Sequence, residues 1–310
     1  MNDSIEQRNS LPRGVMVVAN PYSGAKENRG CVEALAAALV QRHLDCRVIW
    51  DLEELVEATA DPSVSERYRC VVAAGGDGTL NRVFNLQSRL PVFMFPLGNE
   101  NLFSRQFGYC CDPRHAADAI VAGATRVLDL GRAGDRLFAI VASAGFDGEA
   151  AHRLARWRGS TDRLRRVRSV SYAAPIVLAA LRYRYPLLEI DADGQKLRGA
   201  LCMVFNLPQY ANRLPLAIDA DPHDGLLDWL VFERPGSLLL AEYAISVWFQ
   251  RHRRRNDVRF GRARRILLGA SEPVPLEIDG EAAEFAPVAI EVVPDAARIV
   301  VPQAACACHR

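Results

Sequence analysis

The segment Gly75-Gly76-Asp77-Gly78-Thr79 limits what this chain can be more than any other, because it sits between a short apolar run, Tyr68 to Ala74, and residues at helical spacing, Leu80 to Gln87. A run of that length, apolar but for Arg69, reads as a short strand. Three glycines around one carboxylate at the end of such a strand let backbone N–H groups approach phosphate oxygens, and the helix N-terminus behind them adds a positive dipole. Asp77 would then hold Mg2+ or orient a triphosphate. The plain alternative is a tight turn whose glycines serve only positive φ.

Two companion loops argue against an isolated turn. The apolar run Gly14 to Ala19 ends in Asn20-Pro21-Tyr22-Ser23-Gly24, and Pro91 to Pro96 ends in Leu97-Gly98-Asn99-Glu100-Asn101. Asn20, Ser23, Gly24, Gly98, Asn99 and Asn101 offer amides, a hydroxyl and bare backbone for further phosphate or base contacts, with Gly75, Gly76, Gly78, Thr79 and Asn81 around the central loop. Between these segments, Cys31 to His43 and Leu52 to Ala60 read as helices and Asp45 to Trp50 as a strand. Strands alternating with helices imply a parallel sheet with right-handed crossovers, in which ligands bind at the carboxyl ends of the strands.

Beyond Leu128 the pattern changes. Short strand-like segments recur at Leu137 to Val141, Pro186 to Asp191, Gly199 to Asn206, Leu226 to Phe232, Arg265 to Leu268, Pro275 to Ile278, Val288 to Val293 and Ala297 to Val301. Asp193-Gly194 and Asp279-Gly280 are hairpin-turn dipeptides, which favours antiparallel pairing. Helical insertions are expected at 161–183 and 237–252. A chain of 310 residues exceeds what one core usually serves. The expected division is therefore a nucleotide-binding α/β domain over 14–128 and a mostly antiparallel β domain over 129–303, with the last segment free to return to the first domain.

Formal net charge is +1, which argues against a protein built to coat nucleic acid. The distribution is uneven. Residues 152–168 carry seven arginines against Asp162, and 251–265 carry eight against Asp257, about +6 and +7, leaving the remainder near −12. Such separation suits one face turned toward an anionic surface, and it also suits two solvated faces. The eight cysteines lack the spacing of a disulfide framework, so a reducing cytoplasm is the simplest setting. Cys306, Cys308 and His309 could hold a metal but lack a second ligand pair. Met1 to Ser10 has no apolar core of a secretory leader, and Leu238 to Phe249 is too short to span a bilayer. The expected location is cytoplasmic, held peripherally at the inner face of the membrane.

Asn20-Pro21-x-Ser23-Gly24, Gly75-Gly76-Asp77-Gly78-Thr79 with Asn81, Asn101-x-Phe103-x-Arg105, Asp224-Gly225-x-Leu227-Asp228 and Asp279-Gly280-Glu281 together resemble the diacylglycerol kinase catalytic domain family. That family includes bacterial lipid kinases, sphingosine kinases and ceramide kinases. The resemblance runs from about Gly14 to Pro302. It implies a parallel-sheet α/β domain followed by a β-sandwich, with ATP as substrate and Mg2+ as its metal. It further implies a lipid acceptor; the arginine clusters point to contact with an anionic membrane, the net charge of +1 argues against nucleic acid, and a homodimer stays open. By the same resemblance Asp279 would be the general base that takes the proton of the lipid hydroxyl, with Glu281 and Asp77 beside it in catalysis. Asp224, Asp77 and Glu281 would be the metal-binding acids, and Asp147 would lie near the lipid head group. A hydroxyl stays protonated at neutral pH, so a positioned carboxylate is what the attack needs.

One departure stands out: relatives carry Gly-Thr-x-Asn-Asp where this chain has Gly98-Asn99-Glu100-Asn101-Leu102. An amide replaces a hydroxyl and an acid is lost, so altered nucleotide contacts are expected. The rivals are a soluble-substrate kinase of the NAD kinase type, which shares the Gly75 to Thr79 loop, and a lipid-binding or regulatory relative without turnover. Leu238 to Gln250, with Tyr243, Trp248 and Phe249 ahead of the second arginine cluster, suits a bilayer interface and suits a protein core.

Overall fold

The computed structural model of the chain describes residues 12–19, 28–160, 180–210 and 214–303. They form two compact units, Met1–Leu128 with Asp295–Arg310, and Asp129–Pro294. No helix among the described residues is long and apolar enough to cross a membrane.

The first unit alternates strand and helix: β1 Gly14–Ala19, α1 Arg29–Val40, β2 Asp45–Ile49, α2 Leu52–Ala60, α3 Val64–Arg67, β3 Tyr68–Gly75, α4 Asp77–Asn85, β4 Val92–Pro96, α5 Leu102–Phe107 and α6 Pro113–Ala122. The strands lie in the order β2-β1-β3-β4, all parallel, with Val17 beside Val48 and Val72, and Val72 beside Phe93. Every residue of β1 is buried, which is why its sequence is a continuous apolar run. Side-chain caps fix two of the helix starts. Asp51 accepts the Glu53 N–H at 3.1 Å ahead of α2, and Asp112 accepts the Arg114 N–H at 2.8 Å ahead of α6, whose first residue is Pro113.

The second unit is a β-sandwich. Its strands are β5 Thr125–Ala133, which begins in the first unit, β6 Arg136–Phe138, β7 Val141–Gly145, β8 Leu188–Ala192, β9 Gln195–Gly199, β10 Leu201–Phe205, β11 Gln209–Tyr210, β12 Leu214–Pro215, β13 Leu227–Phe232, β14 Val258–Ala263, β15 Arg265–Ala270, β16 Val274–Ile278, β17 Glu281–Ala286 and β18 Val288–Val300. One sheet runs β14-β13-β10-β7-β16-β17 and is antiparallel throughout. The facing sheet carries β15 between β18 and β8, with β9 outside, again antiparallel. Leu227, Trp229 and Val231 of β13, Val204 of β10 and Leu276 of β16 pack against Ile190 of β8, Ile266 of β15 and Ile290 of β18 to make the core. Among the described residues, helices α7 Phe146–Ser160 and α8 Ser237–Trp248 attend it.

The fold class is that expected, and several local readings differ. Val288 to Val293 and Ala297 to Val301 are not two strands but parts of the single β18, whose residue Ile299 pairs in parallel with Val92 of β4. Helix α4 begins at Asp77 rather than Leu80, and α7 was not foreseen at all. Residues 161–179, where a helix was expected, lie outside the described residues, as do Cys306, Cys308 and His309. Cys31, Cys46, Cys70, Cys111 and Cys202 are free thiols, whereas Cys110 is disulfide-bonded, which departs from the expectation of reduced cysteines throughout.

Candidate active site

In the first unit the central glycine loop and the loop after β4 are in contact. Leu97 N–H donates to the Gly75 carbonyl at 2.8 Å, and a Cβ on Gly98 would lie 2.6 Å from the Gly76 Cα. A Cβ on Gly75 would meet Thr79 Oγ1 at 2.2 Å. None of Gly75, Gly76 and Gly98 has a positive φ. The tight-turn alternative therefore fails: Gly76 and Gly98 are glycine because two backbones approach each other, and Gly75 because the Thr79 side chain packs on it, not because the chain must turn left-handed.

Two side chains tie the loops together. Asp77 Oδ2 accepts the Leu102 N–H at 2.9 Å and its Oδ1 accepts the Phe103 N–H at 3.2 Å, so the carboxylate of one loop caps the helix that leaves the other. Asn101, in the left-handed region at φ +50°, donates from Nδ2 to the Gly98 carbonyl at 2.7 Å and accepts the Gly98 N–H at 3.1 Å. Asn81 is buried in α4 and accepts from Asn85 Nδ2 at 2.9 Å, and Asn99 stands exposed. Asn20, Ser23 and Gly24 lie outside the described residues.

In the second unit Asp279 and Gly280 are the central pair of the β16–β17 hairpin, at φ +47° and +84°, as a type I′ turn requires. The Asp279 carboxylate accepts three backbone N–H groups, from Ala139 at 2.8 Å and from Ile140 and Val141 at 2.9 Å each. Three donors in fixed positions leave it one orientation. Glu281 follows at the start of β17, part-exposed, with Arg136 Nη2 3.4 Å from its carboxylate. Asp224 lies in the loop before β13, where it accepts the Leu226 N–H at 3.0 Å and pairs with Arg262 at 3.3 Å. The buried Asp129 braces the same loop by accepting the Gly225 N–H at 2.8 Å. Among the described residues no three His, Cys, Asp or Glu side chains gather closely enough to hold a metal ion by themselves.

Asp147, named from the resemblance, shares Ser143 with a buried acid beside Asp279 that the sequence reading missed, Glu277. Ser143 of β7 lies with its hydroxyl 2.8 Å from Asp147 Oδ2 and 3.0 Å from Glu277 Oε2. Tyr210 donates to Asp147 Oδ2 at 2.5 Å, and Gly280 N–H donates to Glu277 Oε1. Burial pushes both carboxyls above their ordinary range, Glu277 the further because Asp147 repels its charged form. Burial, with Asp147 behind it, likewise raises the Tyr210 phenol. The available signal was Glu277 itself, a lone acid inside the apolar strand Val274-Pro275-Leu276-Glu277-Ile278.

The arginine clusters are less bare than their sequence suggests. Arg253 pairs with Asp219 at 2.7 Å, Arg255 with Asp257 at 2.8 Å, Arg259 with Glu233 at 2.7 Å, and Arg153 with Glu149. Arg251 and Arg254 are exposed, without a salt bridge among the described residues.

Residues 14–133 match the diacylglycerol kinase catalytic domain, and residues 140–301 match the YegS C-terminal NAD kinase beta sandwich-like domain. A diacylglycerol kinase of Mycobacterium tuberculosis is 27% identical over 93% of this chain and 95% of its own. One of Bacillus subtilis is 25% identical over 72% of this chain and 74% of its own, and a Pseudomonas putida protein named "Probable lipid kinase YegS-like" is 26% identical over 84% and 85%. A solved diacylglycerol kinase structure from Bacillus anthracis superposes with a TM-score of 0.65 at 18% identity, covering 96% of this chain and 99% of that one, so the architecture is shared.

Proposed function

Because the chain belongs to the diacylglycerol kinase and YegS-like family of lipid kinases, we propose that it transfers the γ-phosphate of ATP to a hydroxyl of a membrane lipid, with diacylglycerol or a related lipid alcohol as acceptor. The observation that carries this reading is the junction of the two glycine loops, locked by Asp77 across to Leu102 and Phe103. It presents close-set backbone at the carboxyl ends of two neighbouring parallel strands, where phosphates bind in such sheets.

In this reading the loops at 75–79 and 98–101 take the triphosphate. Carboxylate oxygens are the donors that Mg2+ prefers, so Asp77 and Glu281 suit it, and Asp224 would do so on release from Arg262. The ion, bound with ATP, would neutralise charge on the phosphates. Asp279 takes the proton of the attacking hydroxyl, its carboxylate already aimed by the three N–H groups of Ala139, Ile140 and Val141. Leu102 occupies the place of an acid in relatives, yet its N–H is what Asp77 holds, so the loop keeps its shape without that acid.

The lipid is met at a bilayer surface through α8. Leu238, Ile245, Trp248 and Phe249 are 83%, 60%, 68% and 65% exposed, and their spacing puts them on one stripe of the helix, with Arg251 and Arg254 directly after it. An apolar, tryptophan-bearing stripe ended by exposed arginines fits the interface of an anionic membrane.

The deciding experiment supplies γ-labelled ATP to the protein with an extracted lipid mixture and compares wild type with Asp279→Asn. Label in a lipid that disappears with the variant supports the proposal. Label in NAD alone, or nucleotide binding with no transfer to any acceptor, overturns it.

A further inference from the structure

We propose that Asp147 and Glu277 share a single proton through Ser143, and that Glu277 in its protonated form is a positioning residue for the turn carrying Asp279. Hydrogen count carries the first part. The Ser143 hydroxyl has one hydrogen, yet its oxygen lies within hydrogen-bond distance of two carboxylate oxygens, 2.8 Å from Asp147 and 3.0 Å from Glu277. If both contacts are hydrogen bonds, the second hydrogen must come from a carboxyl group. Asp147 Oδ2 already receives the Tyr210 hydroxyl at 2.5 Å and is the oxygen best supplied with donors. Glu277 is 2% exposed, whereas Asp147 is partly open to solvent. The charge therefore rests on Asp147 and the proton on Glu277, which donates to the Ser143 oxygen while Ser143 donates to Asp147.

The second part follows from where the other Glu277 oxygen points. Oε1 accepts the N–H of Gly280, the residue next to Asp279 in the hairpin. A neutral Glu277 thus grips the turn at one oxygen and anchors it to β7 and α7 at the other. Helix α7 is fixed against this strand, since a Cβ on Gly148 would lie 2.1 Å from the Pro275 carbonyl. Loss of the shared proton would set two anions on either side of Ser143, Glu277 fully buried, with the Asp279 carboxylate close by.

The neighbouring charges do not offset that repulsion. From α7 come Asp147 and Glu149, the latter taken by Arg153 and Arg156, and farther along His152 lies against Phe285. From β17 comes Glu281, which pairs with Arg136 of β6. From β7 there is only Ser143, from β11 Tyr210, and from the hairpin Asp279. The positioning role rests on the phosphotransfer reading of Asp279; the shared proton does not.

The test therefore has two arms. Without substrate, infrared difference spectra of the full chain titrated with alkali should show a protonated carboxyl band that Glu277→Gln removes. If the band persists in Glu277→Gln and in Asp147→Asn alike, or is missing from wild type at neutral pH, the shared proton is refuted. With ATP and lipid, Glu277→Ala should lower kcat on the order of 100-fold with KM for ATP little changed, as misplacement of a catalytic group does. Glu277→Gln, whose amide can donate to Ser143 and accept from Gly280, should rescue that loss and lack the alkaline fall of kcat expected of wild type. A Glu277→Gln profile that superimposes on wild type, or a variant as slow as Glu277→Ala though folded, overturns the positioning role. Absence of lipid phosphorylation in wild type refutes the phosphotransfer reading and with it the positioning role, while the infrared arm still judges the proton.

Discussion

Asp77 and Leu102 are joined by a 2.9 Å hydrogen bond from backbone N–H to carboxylate, which makes the acid of the glycine loop the cap of the helix that follows the neighbouring loop. Asp77→Ala should remove that cap and destabilise the first unit by about 1 kcal/mol. A fall of a few degrees in the thermal midpoint, together with weaker ATP binding, is the expected result. An unchanged midpoint would show that the cap contributes nothing.

Gly98→Ala should act on both loops at once. The new methyl would lie 2.6 Å from the Gly76 Cα and 2.7 Å from Asn101 Oδ1, both held by hydrogen bonds, so the loops must separate. A loss of roughly 1–3 kcal/mol is expected from the overpacking, with weakened nucleotide binding. Gly30→Ala is the control. That position lies in α1 with nothing within 4 Å of an added Cβ, and the change should be neutral or stabilise by up to about 1 kcal/mol.

Asp279→Asn replaces an acceptor by an amide that must turn one N–H toward a backbone donor. Of the three bonds from Ala139, Ile140 and Val141, at least one is lost, at a cost of about 1–3 kcal/mol. Phosphoryl transfer should fall by roughly 10²–10⁴, the contribution of a general base, when measured below the variant's lowered melting range. Transfer within a few-fold of wild type would remove Asp279 from the reaction.

The acid pair also predicts how stability responds to pH. Glu277 holds its proton more tightly when folded than a free glutamate, which titrates at about 4.3. Above that value the unfolded chain releases a proton that the folded chain keeps. Stability should therefore decline as pH rises, by up to about 1.4 kcal/mol per unit, until the folded pair itself lets go. In Glu277→Gln that slope should be shallower, by the share Glu277 contributes beside the likewise raised Asp147, as denaturant melts across the range would record.

Membrane contact through α8 should be separable from catalysis. Trp248→Glu and Phe249→Glu, at exposed positions, should leave the fold intact and weaken binding to anionic vesicles about tenfold or more. Wild-type binding should also weaken as salt rises, through Arg251 and Arg254. Vesicle binding indifferent to both would exclude this face.

Sequence made most of the first unit readable because three of its parallel strands, β1, β3 and β4, are covered on both sides. The runs that became β1, β3 and β4 are nearly all apolar, and each stops at a loop that had been singled out. Three of the strands that escaped, β9, β14 and β17, are edge strands of their sheets, and their polar, half-exposed residues break the alternation on which a strand is recognised. Helix α7 escaped because Phe146 to Ser160 offers few large apolar residues and carries Gly148, a choice made by packing against Pro275. Asp279 was identified by resemblance alone. The Ser143 and Tyr210 contacts depend on pairing β7 with β16 and on a distant hairpin, relations that no local spacing encodes.

Strand β18 has a consequence for biosynthesis. Ile299 pairs with Val92, Tyr109 donates to the Val300 carbonyl at 2.7 Å, and Val301 N–H donates to the Ala124 carbonyl at 2.8 Å, so the first unit receives its final strand only after residue 294 has been made. A ribosome that has just released residue 128 has not yet supplied that strand. The half of the chain translated first is the half whose architecture is completed last.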